Sequence, residues 1–348
     1  MSLFAGLDVS QRTTRLCIVD DDGNVVEESE ALTEGAALAA RLIRHAARLK
    51  LVGVEAGSLS LHLYSTLAES GLPVVCVETR HMSRVLKVQA RNKTDRNDAR
   101  GIAQMMRTGL FKPVHVKTER SQRLNVLLKA RKILKSKLLD IEADLRMVLR
   151  NFGIKVGKVS PKGFDQRVRE LLAPDPHMLS VIGPMLDARH AMRQQYENLH
   201  RLLRLTVDAD PICRRLMTMP GVGPVTALSF RAAVDVPSRF AKSRTVGVHF
   251  GLTPRQYQSG LTSRSGRISR SGDGAMRASL YEAAQVLLSR VSTKSALRSW
   301  GQGVAQRRGR KKATVALARK MSIVLHRMWV DETDFRPDIR PYGGSVDS

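Results

Sequence analysis

Leu3-Phe4-Ala5-Gly6-Leu7-Asp8-Val9-Ser10 is a short apolar run that ends in an acid, and its reading decides how the first third of the chain folds. Two further strand-like runs follow at 14–20 and 24–28, joined by Asp20-Asp21-Asp22-Gly23, a hairpin turn signal. Helix-like and strand-like segments then alternate. Apolar spacing predicts a helix over 36–49, a strand over 51–55, a helix over 61–69, a strand over 73–78 and a helix over 95–108. Three hairpin-linked strands followed by alternating helix and strand predict a mixed sheet with helices on its faces.

That order is the order of the ribonuclease-H-like fold, and it gives four carboxylates a common meaning. Asp8 ends the first strand and Glu55 ends a later one, beside it in such a sheet. Asp95 and Asp98 open a helix three residues apart, on one face. Each acid alone reads as well as a turn residue or a helix cap. Together they form an oxygen-donor set. Converging carboxylates stay ionised only if cations offset their repulsion. Mg²⁺, or Mn²⁺ in its place, takes such ligands and stabilises the attacking and leaving oxygens of a phosphoryl transfer.

The rest of the chain changes character. From 117 to 151 Leu, Ile and Val recur at helical spacing among charges with no Pro or Gly between them. Residues 153–165 read as a linker. A second long helix is expected from about Pro184 to 208, with Pro184 at its first position. The pair reads as a coiled coil or as an ordinary bundle connector. From 217 on, Pro- and Gly-rich turns and Ser- and Arg-rich loops lead to two final helices, near 275–290 and 313–329. The expected division is 1–115 for the α/β domain, 116–210 for the long-helix connector, 211–335 for a mainly helical domain and 336–348 for an irregular tail.

Charge points to the partner. Lys and Arg number 58 against 32 Asp and Glu, a net charge of +26 over 348 residues, with a local peak at 307–312. Charge spread over the whole chain implies grooves for phosphate backbones. Aromatics are only 4%, which argues against rows of base-stacking platforms. Cys17, Cys76 and Cys213 form no pair of metal-binding spacing, and a reducing cytoplasm is expected. No run reaches membrane-spanning length.

Two motifs lie in the last third. Met219-Pro220-Gly221-Val222-Gly223-Pro224 between apolar flanks reads as a helix-hairpin-helix that grips phosphate, with Gly221 and Gly223 at the contact, or as a plain tight turn. The segment from Phe250 to Gly272 gathers Arg255, Arg264, Arg267 and Arg270 around Ser259, Ser263, Ser265, Ser269 and Ser271. A serine near arginines can attack a phosphodiester while guanidinium groups balance the phosphorane charge. Chemistry alone does not choose among the five, and on chemistry alone a phosphate-binding loop with no covalent role is the better fit.

The blocks Gly6-Leu7-Asp8-Val9-Ser10, Glu55-Ala56-Gly57-Ser58, Glu78-Thr79-Arg80-His81, Lys93-Thr94-Asp95-Arg96-Asn97-Asp98, Pro220-Gly221-Val222-Gly223, Gly251-Leu252-Thr253-Pro254-Arg255, Tyr257-Gln258-Ser259-Gly260 and Ile268-Ser269-Arg270-Ser271-Gly272 resemble, in order, the DEDD transposases of the insertion-sequence one-ten family, to which pilin-gene invertases are related. The resemblance implies a RuvC-like N-terminal domain, a coiled-coil connector and a C-terminal transposase domain. It implies a cytoplasmic, nucleoid-associated recombinase guided by a structured non-coding bridge RNA that pairs with target and donor DNA. It makes Asp8, Glu55, Asp95 and Asp98 the Mg²⁺-binding tetrad, and Ser259 the nucleophile that forms a 5′-phosphoserine link. It also implies dimers that pair into a tetramer. Two rivals stay open: a junction-resolving nuclease in which water attacks, and a non-enzymatic nucleic-acid-binding protein.

Overall fold

The computed structural model describes residues 1–79, 82–83, 95–260 and 262–338, with the side chain of residue 263 left aside. Arg80, His81, Lys93, Thr94 and the end of the expected tail lie outside the described residues. The chain divides into two compact units, Met1–Lys117 and Thr118–Ser348.

The first unit holds a five-stranded sheet: β1 (Leu3–Val9), β2 (Thr13–Val19), β3 (Val25–Leu32), β4 (Leu49–Glu55) and β5 (Val74–Val77). Their order is β3-β2-β1-β4-β5. β2 runs antiparallel to β1 and β3, while β4 runs parallel to β1 and β5 parallel to β4. This order and pairing is the ribonuclease-H-like topology expected from the sequence. Alternation along each strand assigns the faces. Leu3, Ala5, Leu7, Val52 and Val54 pack beneath Leu38, Leu42, Leu63 and Leu67 of α1 (Gly35–Ile43) and α2 (Ser60–Glu69). Phe4, Cys17, Val19 and Leu51 face α3 (Asp95–Thr108), meeting Ala99, Ile102, Ala103 and Met106.

One boundary differs from the expected helix over 36–49. α1 stops at Ile43, because His45 bonds Glu27 of β3 at 2.8 Å and the turns after it deliver Leu49 into β4.

The second unit is helical. α4 (Glu119–Asn151), α5 (Phe164–Leu172) and α6 (Pro176–Ala209) form an arm in which α4 and α6 pack together. Its far end closes over Leu145, Leu149, Phe164, Val168, Ile182 and Leu186. There Arg189 is buried over the Phe164 ring, paired with Glu142 and with Asp165 at 2.7 Å. α6 begins eight residues before Pro184. Asp175 caps its start by accepting from the Met178 N–H, and Pro176 takes the first-turn position that Pro184 was expected to hold. Pro184 is exposed, so the carbonyl its ring frees, that of Ser180, faces water.

At the base of the arm α7 (Pro211–Met217), α8 (Pro224–Val234), α9 (Arg244–His249), α10 (Gly274–Ser289), α11 (Ala296–Arg308) and α12 (Arg310–Val330) share one apolar core with Leu124, Leu203 and Val207. Within it His326 bridges Ser243 Oγ, 2.9 Å from Nδ1, and the Pro237 carbonyl, 3.1 Å from Nε2. Nε2–H therefore donates to the carbonyl and Nδ1 accepts from the serine. Burial pushes this imidazole below its ordinary pKa. The unfolded chain then binds the extra proton first, so stability present above about pH 6.5 falls as pH drops. Thermal unfolding followed from pH 7.5 to pH 5.0 should show this loss, and His326→Gln should flatten it. An equally steep loss in that variant would assign the effect elsewhere. Among the described residues no helix is long and apolar enough to cross a membrane.

Candidate active sites

The seat of α3 positions the four acids. Gly6 and Gly53 are register partners on β1 and β4, and both face α3. A Cβ at Gly6 would lie 2.2 Å from the Ala99 carbonyl oxygen and 2.4 Å from the Ala103 nitrogen. One at Gly53 would lie 2.8 Å from Ile102 and Met106 side-chain atoms. Asp8 and Glu55 stand two residues further along the same strands, hence on the same face. They directly follow the paired Leu7 and Val54, so two carboxylates end neighbouring parallel strands side by side.

α3 runs against β1. Its last turns meet the turn between β2 and β3, where Gln104 Nε2 donates to Gly23 O at 2.8 Å and Arg107 Nη1 to Asp21 O at 3.1 Å. Its first turn, with Asp95 and Asp98, accordingly points toward the strand ends that carry Asp8 and Glu55. Arg96, between those two acids in sequence, is held by Glu28 of β3 with Nε–Oε2 2.5 Å. Among the described residues no three His, Cys, Asp or Glu side chains stand close enough to hold a metal ion. Strand register and the direction of α3 put the four acids at the same end of the sheet. All four donors are carboxylates, a composition that fits a hard divalent cation.

The serine-rich segment of the second unit is a hairpin, where loops were expected. β6 (Pro254–Ser259) pairs antiparallel with β7 (Thr262–Ile268), and every residue of β6 is exposed. Ser259 pairs with Thr262 at the tip, next to Gly260, which adopts φ +55°. Arg255, Arg264, Arg267 and Arg270 are exposed along it or at its base. The strands have no core of their own, so rigidity comes from the base. There Arg277 of α10 donates from Nη1 to the carbonyls of Phe250 at 3.1 Å, Ser271 at 2.8 Å and Gly272 at 3.3 Å. Gly251 and Gly272 approach the opposite backbone so closely that a Cβ at either would fall within 2.1 Å of a carbonyl oxygen. Ser269 and Ser271 bond each other at 3.0 Å. Sequence reading missed Arg277 as the clamp and Gly6 and Gly53 as the seat. The signal for the glycines was available: one glycine inside each of two strands marks a close backbone approach.

The two glycines of the expected helix-hairpin-helix differ. Gly221, at φ +91°, lies against α10, where a Cβ would sit 2.6 Å from the Ala283 oxygen. Its place is explained by packing inside the unit. Gly223 precedes α8 with open space around it.

Two family models match this chain. One, described as Transposase and belonging to the DEDD type of IS110, covers residues 5–154, from β1 to the end of α4. The other, described as Transposase IS116/IS110/IS902 family, covers residues 213–321, including the serine hairpin. The transposase for insertion sequence element IS1111A of Coxiella burnetii is 28% identical, over 95% of this chain and 90% of its own. The transposase for insertion sequence element IS1328 of Yersinia enterocolitica is also 28% identical, over 70% and 72%. Among solved structures, T. thermophilus RuvC in complex with Holliday junction substrate matches over 33% of this chain and 100% of that chain, at 17% identity and a TM-score of 0.27. The fold assignment rests on strand order and pairing. With one transposase model on the sheet and its following helix and another on the helical unit, the chain belongs to the IS110/IS116 insertion-sequence transposases, enzymes that cleave DNA and transfer its strands.

Proposed function

We infer that this transposase exchanges DNA strands through a covalent link to Ser259, with a structured bridge RNA choosing target and donor DNA. The observation that carries the reading is the hairpin: Ser259 sits exposed at its tip, arginines flank it, and Arg277 fixes its base. Ser259 Oγ attacks the phosphorus, an O–P bond forms, and the bond to the 3′ oxygen breaks. The proton lost by Oγ balances the one gained by the departing 3′ hydroxyl. One phosphodiester replaces another, so rejoining needs no outside energy source. Arg255, Arg264, Arg267 and Arg270 offset charge on the phosphate, and Gly223, at the open N-terminus of α8, contacts backbone nearby.

Asp8, Glu55, Asp95 and Asp98 would hold Mg²⁺, or Mn²⁺ in its place. Such an ion supplies Lewis-acid polarisation of a phosphoryl oxygen. The acids belong to one unit and Ser259 to the other, and the proposed working form is a dimer that pairs into a tetramer on the nucleoid. The proposed division is a RuvC-like domain at 1–115, a coiled-coil connector at 116–210 and the transposase domain at 211–335.

The test is to quench the reaction on end-labelled DNA and digest the protein. A peptide carrying Ser259 joined to a 5′ phosphate, with a free 3′ hydroxyl on the partner strand, is expected. A free 5′ phosphate bearing oxygen from labelled water would instead establish the nuclease in which water attacks. Omitting the RNA should abolish site choice, and unchanged site choice would remove the guide from the reading.

A further inference from the structure

The junction of α11 and α12 carries Arg307, Arg308, Arg310, Lys311 and Lys312 around the single linking residue Gly309. All five side chains are exposed, and among the described residues none of them makes a side-chain hydrogen bond or ion pair. No compensation is within reach in sequence, since 283–330 contain no Asp or Glu. Arg307 and Arg308 close α11, where cations suit the helix dipole. Arg310, Lys311 and Lys312 open α12, where they oppose it, and the first turn has no acid. Five like charges at this corner repel one another and destabilise the free protein. A local conflict of that kind marks a site whose value lies in a bound partner.

We propose that this corner is a second DNA contact, separate from the serine hairpin, that grips the phosphate backbone of duplex DNA without reading sequence. The proposal rests on the reading of the chain as a DNA recombinase and adds an anchoring surface to it. The chemistry favours backbone over bases. The aromatic nearest in sequence, Trp300 of α11, already has Lys320 over its ring, with Nζ 3.9 Å from the centroid. Exposed cations with no open aromatic platform among them hold phosphates, and each one neutralised releases counterions. A duplex held here is restrained while the hairpin acts.

The test compares the full chain with a variant carrying Arg308→Gln, Lys311→Gln and Lys312→Gln. The probe is a 30-base-pair duplex of arbitrary sequence, titrated from 50 to 200 mM NaCl. Three lost phosphate contacts should flatten the salt slope of log affinity by about 2.7, so the gap between wild type and variant shrinks about 40-fold across that range. The variant should melt no lower than wild type, because it removes two charges that oppose the dipole of α12 against one that suits α11, and eases the repulsion among the five. An unchanged slope overturns the proposal, and so does a slope change seen only with a hairpin RNA probe. If the variant fails to fold, acetylation of wild-type lysines gives the answer. Bound duplex should shield Lys311 and Lys312, and equal labelling with and without DNA overturns the contact. The recombinase reading fails separately, through absence of the Ser259 adduct.

Discussion

Ser259→Ala is expected to bind duplex DNA as wild type does and to leave strand exchange at background, a loss on the order of 10⁶-fold if Ser259 is the nucleophile. The structure makes this a sharper test than the sequence allowed. Chemistry alone left five serines open. Ser269 and Ser271 lie at the clamped base, their hydroxyls bonded to each other. Ser265 pairs across from Gln256 in mid-strand. Ser259 is at the tip and exposed. Removing its Oγ deletes no buried contact, so folding should be untouched. The salt slope of binding, set by arginines and lysines elsewhere, should be untouched as well. Ser265→Ala and Ser269→Ala should keep activity within about tenfold. A Ser259→Ala protein that still exchanges strands would remove the covalent step.

The parts of the fold that were legible follow from patterns with two periods. β1 to β3 announce themselves through apolar runs and the Asp20–Gly23 turn, and the order of later elements then fixes the sheet. The places of the four acids on their elements were legible because strand ends and helix starts are where sequence position maps most directly to space. The serine hairpin was not. β6 is exposed on both faces, so it carries no alternation, and its stability comes from Arg277 and two close backbone approaches outside the strands. α11 was missed for a related reason. Gly301 and Gly303 weaken its helical pattern, yet Gly301 is what lets the helix pack against Leu288 and Leu317. The start of α6 was misplaced because two prolines compete for it, and only the Asp175 cap decides between them.

Gly6→Ala should damage both stability and chemistry, and the reasons are separable. The added Cβ meets the Ala99 oxygen at 2.2 Å and the Ala103 nitrogen at 2.4 Å, both backbone atoms of α3. No rotamer change relieves that. The helix must lift by roughly 1 Å, and such overpacking costs about 1–3 kcal/mol. Urea unfolding of the first unit should move to a lower midpoint with an unchanged slope. The lift also carries the first turn of α3, with Asp95 and Asp98, away from the strand ends bearing Asp8 and Glu55. A displacement of that size is worth about 10²-fold in rate. Gly53→Ala is the internal comparison. Its Cβ meets the side chains of Ile102 and Met106, and a methionine can move. The expected penalty there is about 1 kcal/mol, at the lower end of overpacking, with a smaller loss of cleavage. DNA binding through the second unit should survive both changes. If Gly6→Ala unfolds and cleaves like wild type, α3 is not seated on β1 as described. If it unfolds early yet cleaves normally when folded, the four acids do not act as a set.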